Sequence, residues 1–350
     1  MAKQKKLSKS QSRRIHANQN KRIAKAKDQD NIEQVIDDNL LGVQSFGQVI
    51  TRYGQHADIE NEKGEMVRCN LRRNVGSLVC GDRVIWRPYN TSDTESSGVI
   101  EAVEPRTSEF VRPDFYDGLK PVAANIDQII IVAALLPDLT PSIIDRYIVA
   151  VEQLAITPVI VINKMDLLND ANKDMVEQTI QLYRDVGYQV LPISATEEQG
   201  IATVMDLLAN KTSVFVGQSG VGKSSLVNAI LPQVNILTKQ VSTNSRLGQH
   251  TTTSSRLYRL ANSGAIIDSP GVREFAMWHL ETEQILMGFI EFKPFLGLCK
   301  FRDCQHKKDP GCALKQAIKD GKVTEQRYQS YLKILQTNSD ITLRHNSKNP

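Results

Sequence analysis

Apolar and polar positions alternate in short runs along the first third of the chain. Phe46–Arg52, His56–Glu60, Met66–Asn70, Asp82–Trp86 and Gly98–Val103 read as strands, because strand side chains point alternately to opposite faces. Gly54, Gly64, Gly76-Ser77 and the Ser/Thr-rich stretch 91–97 separate them. Five short strands in this span predict a small barrel of the OB type over 39–105, with an SH3-like barrel as the alternative.

The period then changes. Ile126–Ala134 is a continuous apolar strand, and Thr140-Pro141 starts a helix with a cap followed by proline. Ile143, Ile144, Tyr147, Ile148, Val151 and Leu154 form the buried stripe of that helix. Strands at Val159–Ile162, Gln189–Ile193 and Ser213–Val216 alternate with helices near 172–186 and 201–209 and with one that ends at Pro232. Strands near 255–260 and 264–267 follow, while 233–254 shows no clear periodicity. This alternation predicts a mainly parallel sheet covered on both faces over 106–277. A mainly helical region, 278–350, closes the chain, with one helix expected over about 313–336, apolar at Leu314, Ile318, Tyr331 and Leu335.

Two motifs fall at predicted strand ends, where such sheets bind ligands. Gly217-Gln218-Ser219-Gly220-Val221-Gly222-Lys223-Ser224-Ser225 lies between a strand and a helix and matches a phosphate-binding P-loop. Lys223 is expected to reach the β- and γ-phosphates, and Ser224 to bind Mg²⁺. Asn163-Lys164-Met165-Asp166 reads as a guanine-recognition element. Asp166 would accept from two ring N–H donors that adenine lacks, Asn163 would touch the purine edge, and Lys164 would pack over the base. Ser194-Ala195 would offer an N–H to the guanine carbonyl. Asp268-Ser269-Pro270-Gly271 supplies a second Mg²⁺ support at Asp268 and a γ-phosphate amide at Gly271. One threonine of Thr251-Thr252-Thr253 should close over the metal, with Thr252 favoured. The glutamine that orients water in Ras-like enzymes is replaced by Val272, so intrinsic hydrolysis should be slow. His250 is the candidate catalytic substitute beside Lys223. The base-reading motif precedes the P-loop, and both serve one nucleotide only in a circularly permuted domain.

Charge changes the picture at the chain start. Residues 1–27 hold ten Lys/Arg and no acidic residue, so the rest carries 33 basic against 39 acidic residues, a net of −6. Residues 1–38 therefore read as a basic disordered arm drawn to phosphate-rich partners, nucleic acid above all. No apolar h-region follows, which argues against a secretory signal. The longest apolar run, Ile129–Leu136, stops at Pro137, short of the ~18 residues of a membrane span. Cys299, Cys304, His306 and Cys312 form a Cys₃His set suited to one structural zinc ion. Lys300, Arg302, Lys307 and Lys308 beside it could face RNA phosphates. Cys69 and Cys80 read as buried thiols. Clustered thiols point to a reducing, cytoplasmic setting, and nothing suggests an extended dimer interface, so a monomer is expected.

Basic arm, barrel, permuted GTPase and Cys₃His region, in this order, resemble the RsgA (YjeQ) family of small-ribosomal-subunit-dependent GTPases. The resemblance rests on Asn163–Asp166, Gly217–Ser225, Gly248–Thr253, Asp268–Gly271 and the zinc quartet. It implies a late small-subunit assembly factor that binds rRNA through its barrel and zinc region and hydrolyses GTP when stimulated by the subunit. Val272 resembles the hydrophobic substitution of this GTPase class. Gly220 stands where several such GTPases carry the asparagine that holds K⁺, so the resemblance does not extend potassium-activated hydrolysis to this chain. An RNA-binding module with a nucleotide sensor, or a GTPase of another pathway, is the competing reading.

Overall fold

The computed structural model describes residues 41–72, 75–90, 96–114, 118–232, 255–268 and 280–346. The basic arm lies outside them. Strands β1 (Ser45–Tyr53), β2 (His56–Asn61), β3 (Met66–Leu71), β4 (Arg83–Pro88) and β5 (Gly98–Val103) form the first unit. Their order is β1-β2-β3-β5-β4, and β1 also pairs with β4, which closes a five-stranded barrel of OB type. Alternation explains the closure. Ala57 and Ile59 of β2 and Val84 and Trp86 of β4 point inward, beside Val49, Cys69 and Ile100. Cys69 is a buried thiol, and burial first, then Asp58, pushes it up to about 12.

A hairpin not foreseen from the sequence, β6 (Glu109–Asp114) and β7 (Gly118–Ala124), links the barrel to the next unit. Pro113 and Pro121 interrupt its alternation, which hides it from a period-two reading. There follow β8 (Gln128–Ala134), α1 (Pro141–Glu152), β9 (Thr157–Asn163), α2 (Lys173–Val186), β10 (Gln189–Pro192) and α3 (Ile201–Leu208). Then come β11 (Thr212–Val216), α4 (Lys223–Ile230), β12 (Arg256–Arg259) and β13 (Ala265–Asp268). Strands β10-β9-β8-β11-β13 are parallel, and β12 is antiparallel to β13. β8 feeds both faces: Ile129 and Ile131 join one core with α1 and α2, whereas Ile130 and Val132 join the other with α3 and α4. This two-sided burial is what an uninterrupted apolar strand means. Thr140 takes the N-cap position of α1 with Pro141 next, but its hydroxyl goes to Asp138 O (3.2 Å) and does not cap the helix.

Barrel and α/β unit share one sheet. β1 pairs with β12 at Thr51 and Arg256, giving eleven hydrogen-bonded strands. Arg259 of β12 forms an ion pair with Glu60 of β2 and donates to Gln48 Oε1 at 2.7 Å. The C-terminal region holds α5 (Thr282–Met287), the 3₁₀ segment Ile290–Phe295, α6 (Ala313–Lys319) and α7 (Glu325–Asn346). The single helix expected over 313–336 is therefore two helices. Gly321 adopts φ +70°, and Lys322 N–H returns to Ala317 O at 2.9 Å, a left-handed stop favoured at glycine. No helix among the described residues is long and apolar enough to cross a membrane.

Candidate nucleotide site and metal centre

The loop between β11 and α4 carries the P-loop residues. Gly217 has φ +143°, and a Cβ there would lie 2.2 Å from Val132 O, so only glycine lets the loop pass β8. Lys223, the first residue of α4, bonds back to Gly217 O (2.7 Å) and to Gln218 O, which holds its ammonium against the loop. The Gly220 and Val221 carbonyls accept from Lys164 Nζ (2.7 Å) and Asn163 Nδ2 (3.0 Å). A trans peptide is planar, so the Val221 and Gly222 N–H groups point the opposite way, away from Lys164 and Asn163. Ser219, Ser224 and Ser225 complete the loop and the first turn of α4. β13 runs parallel beside β11, which sets Asp268 at the same sheet edge.

Asn163 ends β9 and is buried. Its Oδ1 accepts from Ala195 N–H at 3.0 Å while its Nδ2 reaches Val221 O, so one amide ties three loops together. Lys164 follows in the left-handed region (φ +63°), and its Nζ bonds Leu136 O (2.6 Å) as well as Gly220 O. Met165 begins a 3₁₀ turn with Asp166, which is exposed. The Ser194 hydroxyl donates to Asp166 Oδ1 at 2.5 Å and holds that carboxyl below its ordinary value. Ser194 N–H donates to Gln199 O and Ala195 N–H to Asn163 Oδ1. A base carbonyl at Ala195 would therefore share that N–H in a bifurcated bond.

The second constellation lies in the C-terminal region. The ligand atoms of Cys299, Cys304, His306 and Cys312 all lie within 4.8 Å of one another. His306 Nδ1 is 3.5, 3.7 and 3.4 Å from the sulfurs of Cys299, Cys304 and Cys312, and the Cys299–Cys312 sulfurs are 4.0 Å apart. Tetrahedral zinc with ~2.3 Å bonds to sulfur has edges of about 3.5–3.8 Å, so the quartet fits one metal ion. Burial lowers the His306 imidazole, which favours the neutral ligand form. The Ala313 N–H points at Cys299 Sγ (3.3 Å), and Tyr328 donates its hydroxyl to His306 O (2.6 Å), the second layer of support that metal sites use.

The family model for RsgA GTPases matches residues 103–278, half the chain. The chain belongs to the RsgA GTPase family. It is 32% identical to YjeQ from Thermotoga maritima over 85% of this chain and 99% of that one, with a TM-score of 0.69. It is 29% identical to YloQ, described as a circularly permuted GTPase, over 85% of this chain and 96% of that one, with a TM-score of 0.67. As an RsgA GTPase the protein hydrolyses GTP, and its GTPase domain is circularly permuted: the Asn163–Asp166 loop precedes the P-loop by α2, β10, α3 and β11.

In this RsgA GTPase the described candidates of the guanine, phosphate and Asp268 elements converge on one sheet edge. His250, Thr252, Gly271 and Val272 lie outside the described residues. The reading from sequence missed the pairing duties of Asn163 and Lys164, because the loops they join are distant in the chain. Gly222 tests the arrangement. It has φ +90°, and a Cβ there would sit 2.3 Å from Asn163 Nδ2. Gly222→Ala is expected to weaken GDP binding by roughly 100-fold or more and to destabilise the fold by about 1–3 kcal/mol, through steric and backbone strain. Fluorescent-GDP titration and thermal melting check both.

Proposed function

We propose that the protein is a GTPase of the small ribosomal subunit, binding its rRNA and assisting late maturation, with slow intrinsic hydrolysis that the subunit stimulates. The observation that carries this reading is the single sheet that joins an OB-type barrel to the strand beside Asp268. A nucleotide-sensing edge is thereby linked to a fold used for nucleic acid.

The ten Lys/Arg of residues 1–27 add a phosphate-seeking arm. In this reading Lys223 meets the β- and γ-phosphates and Ser224, Thr252 and Asp268 hold Mg²⁺, which supplies charge neutralisation on the transferring group. Gly217–Ser225 and Gly271 surround the phosphates. Asn163–Asp166 with Ser194-Ala195 select guanine. His250 orients water in place of the absent glutamine. Cys299, Cys304, His306 and Cys312 hold one structural zinc ion. With GTP bound, barrel and zinc region grip one rRNA surface, and hydrolysis releases them.

Multiple-turnover GTP hydrolysis, with and without purified subunits, tests the reading. Small subunits alone should stimulate it strongly, by about 10²-fold or more if the subunit completes the site. Affinity for the subunit should be higher with a non-hydrolysable GTP analogue than with GDP. Stimulation by large subunits instead, or equal affinity in both states, would overturn the assignment.

A further inference from the structure

Helix α1 belongs to two cores. Ile144, Ile148 and Val151 pack into the GTPase core, while Val149 and Ala150 pack with Ile285, Phe289 and Tyr331 of the C-terminal region. A buried polar group stands between them. Arg327 of α7, wholly buried, donates to Asp145 Oδ1 of α1 at 2.5 Å. It also forks onto Glu291, with Nε to Oε1 at 2.6 Å and Nη2 to Oε2 at 3.1 Å. Phe289 lies under the guanidinium, 4.5 Å from ring centre to Cζ. The Tyr183 hydroxyl of α2 is 2.7 Å from the same Asp145 oxygen and 3.0 Å from Pro141 O, the first carbonyl of α1.

Both ends of this group reach a functional site. Tyr328, the next residue after Arg327, bonds the carbonyl of His306. At the other end, Leu136 before α1 is tied through Lys164 to Gly220. Ile144 and Tyr147 of α1 line one small cavity with Gln218 and Val221 of the P-loop. Hydrogen bonds joined by short stretches of chain thus connect His306 with the phosphate loop. A buried ion pair is weak evidence for stability, because desolvation offsets its attraction. Its directional bonds do fix how two surfaces dock. Apolar contacts alone would let α1 slide or rotate against α7.

We propose that Arg327 is a positioning residue for the nucleotide site: with Asp145 and Tyr183 it fixes α1 and the 136–140 loop, so metal binding and nucleotide binding are coupled. The proposal rests on reading the quartet as a zinc site and the P-loop as the GTP site. Coupling between binding sites is reciprocal, and typical values run from about 5- to 150-fold. Zinc should raise GDP affinity, and GDP should raise zinc affinity by the same factor.

The test uses the full-length chain and two variants that keep Arg327, because removing it would strand Asp145 in the interior. Tyr328→Phe deletes only the hydroxyl that meets His306. Gly288→Ala puts a methyl 2.8 Å from Val149 Cγ1 and 2.9 Å from Val149 Cα, wedging α5 from α1 where the backbone itself is unstrained (φ −73°). GDP affinity is read by fluorescent-nucleotide titration, and zinc affinity by chelator competition at equilibrium with and without GDP. GDP should tighten wild-type zinc binding about tenfold. Gly288→Ala should keep its fold and its metal; Tyr328→Phe, which removes a support of His306, should bind zinc more weakly yet load fully at excess metal; both should lose most of that tightening and bind GDP correspondingly more weakly. Folded, metal-loaded variants with wild-type GDP affinity, or zinc affinity indifferent to GDP, would overturn the coupling. A wild-type protein that takes up no zinc would remove the zinc reading instead. Gly288→Ala against GDP affinity would still decide whether α1 positions the P-loop.

Discussion

Asp166→Asn is expected to exchange guanine for xanthine. The carboxylate is exposed at the edge of the site, and Ser194 holds it below its ordinary value, so it is an acceptor at neutral pH. Guanine presents N–H donors at positions 1 and 2. An asparagine amide would set its own NH₂ against one of them, leaving two donors facing each other in a site that cannot rearrange. Sites built to pair a polar edge reject a mismatched edge by ~10⁴-fold, so GTP affinity should fall by about 10³–10⁴-fold. Xanthine carries a carbonyl at position 2 and should recover most of the loss. Titration with GTP and XTP, followed by turnover with each, measures the exchange. A variant that still prefers GTP would place base recognition elsewhere. Asn163→Ala should behave differently. Its amide links the Ala195 N–H to Val221 O, so its removal should weaken every nucleotide and lower the melting temperature.

The contrast between these two residues shows how far the sequence can be read. The loops that follow β11 and β9 impose local backbone geometry, so Gly217–Ser224 and Asn163–Asp166 were legible as candidates from spacing alone. The barrel strands were legible because Ala57 and Ile59, or Val84 and Trp86, alternate with polar neighbours. The metal quartet was legible because its four ligands fall within fourteen residues. What stayed hidden was pairing between distant segments. The stripe expected on α1 included Ile144, Ile148 and Val151, but Asp145, Val149 and Ala150 are buried as well. A charged residue beside the stripe signals solvent unless its partner is known, and Arg327 lies 182 residues away. The join of β1 to β12 at Thr51 was hidden for the same reason: a single pair between strands two hundred residues apart leaves no period. The division of the last helical segment turned on Gly321, which a helical period tolerates and a left-handed stop exploits.

Zinc removal, by chelation or by Cys312→Ser, is expected to melt the C-terminal region while the sheet stays folded. That region packs a small core around Phe289, Phe292, Leu314, Val323 and Tyr331, and Cys312 is itself part of it. Fewer than about 70 residues seldom bury enough apolar surface to stand alone, and natural domains of that size use a metal or disulfides. All five cysteines are free of disulfides. Structural zinc contributes apparent binding energies of about 10–16 kcal/mol, more than a core of this size supplies. Burial first, with Cys299 and Cys312 adding to it, pushes the Cys304 thiol up to about 12, so the metal must displace protons and its affinity must fall on acidification. The parallel sheet has its own cores on both faces and should melt separately. Calorimetry should show one transition lost or shifted down by tens of degrees and the other kept, with helical circular dichroism reduced by the share of α6 and α7. The kept transition should shift slightly, because Val149 and Ala150 of α1 would lose their cover and Asp145 its counter-ion. A metal-free protein that melts as the loaded one does would make the quartet three ordinary thiols beside a histidine and leave the C-terminal core to stand on its apolar packing alone.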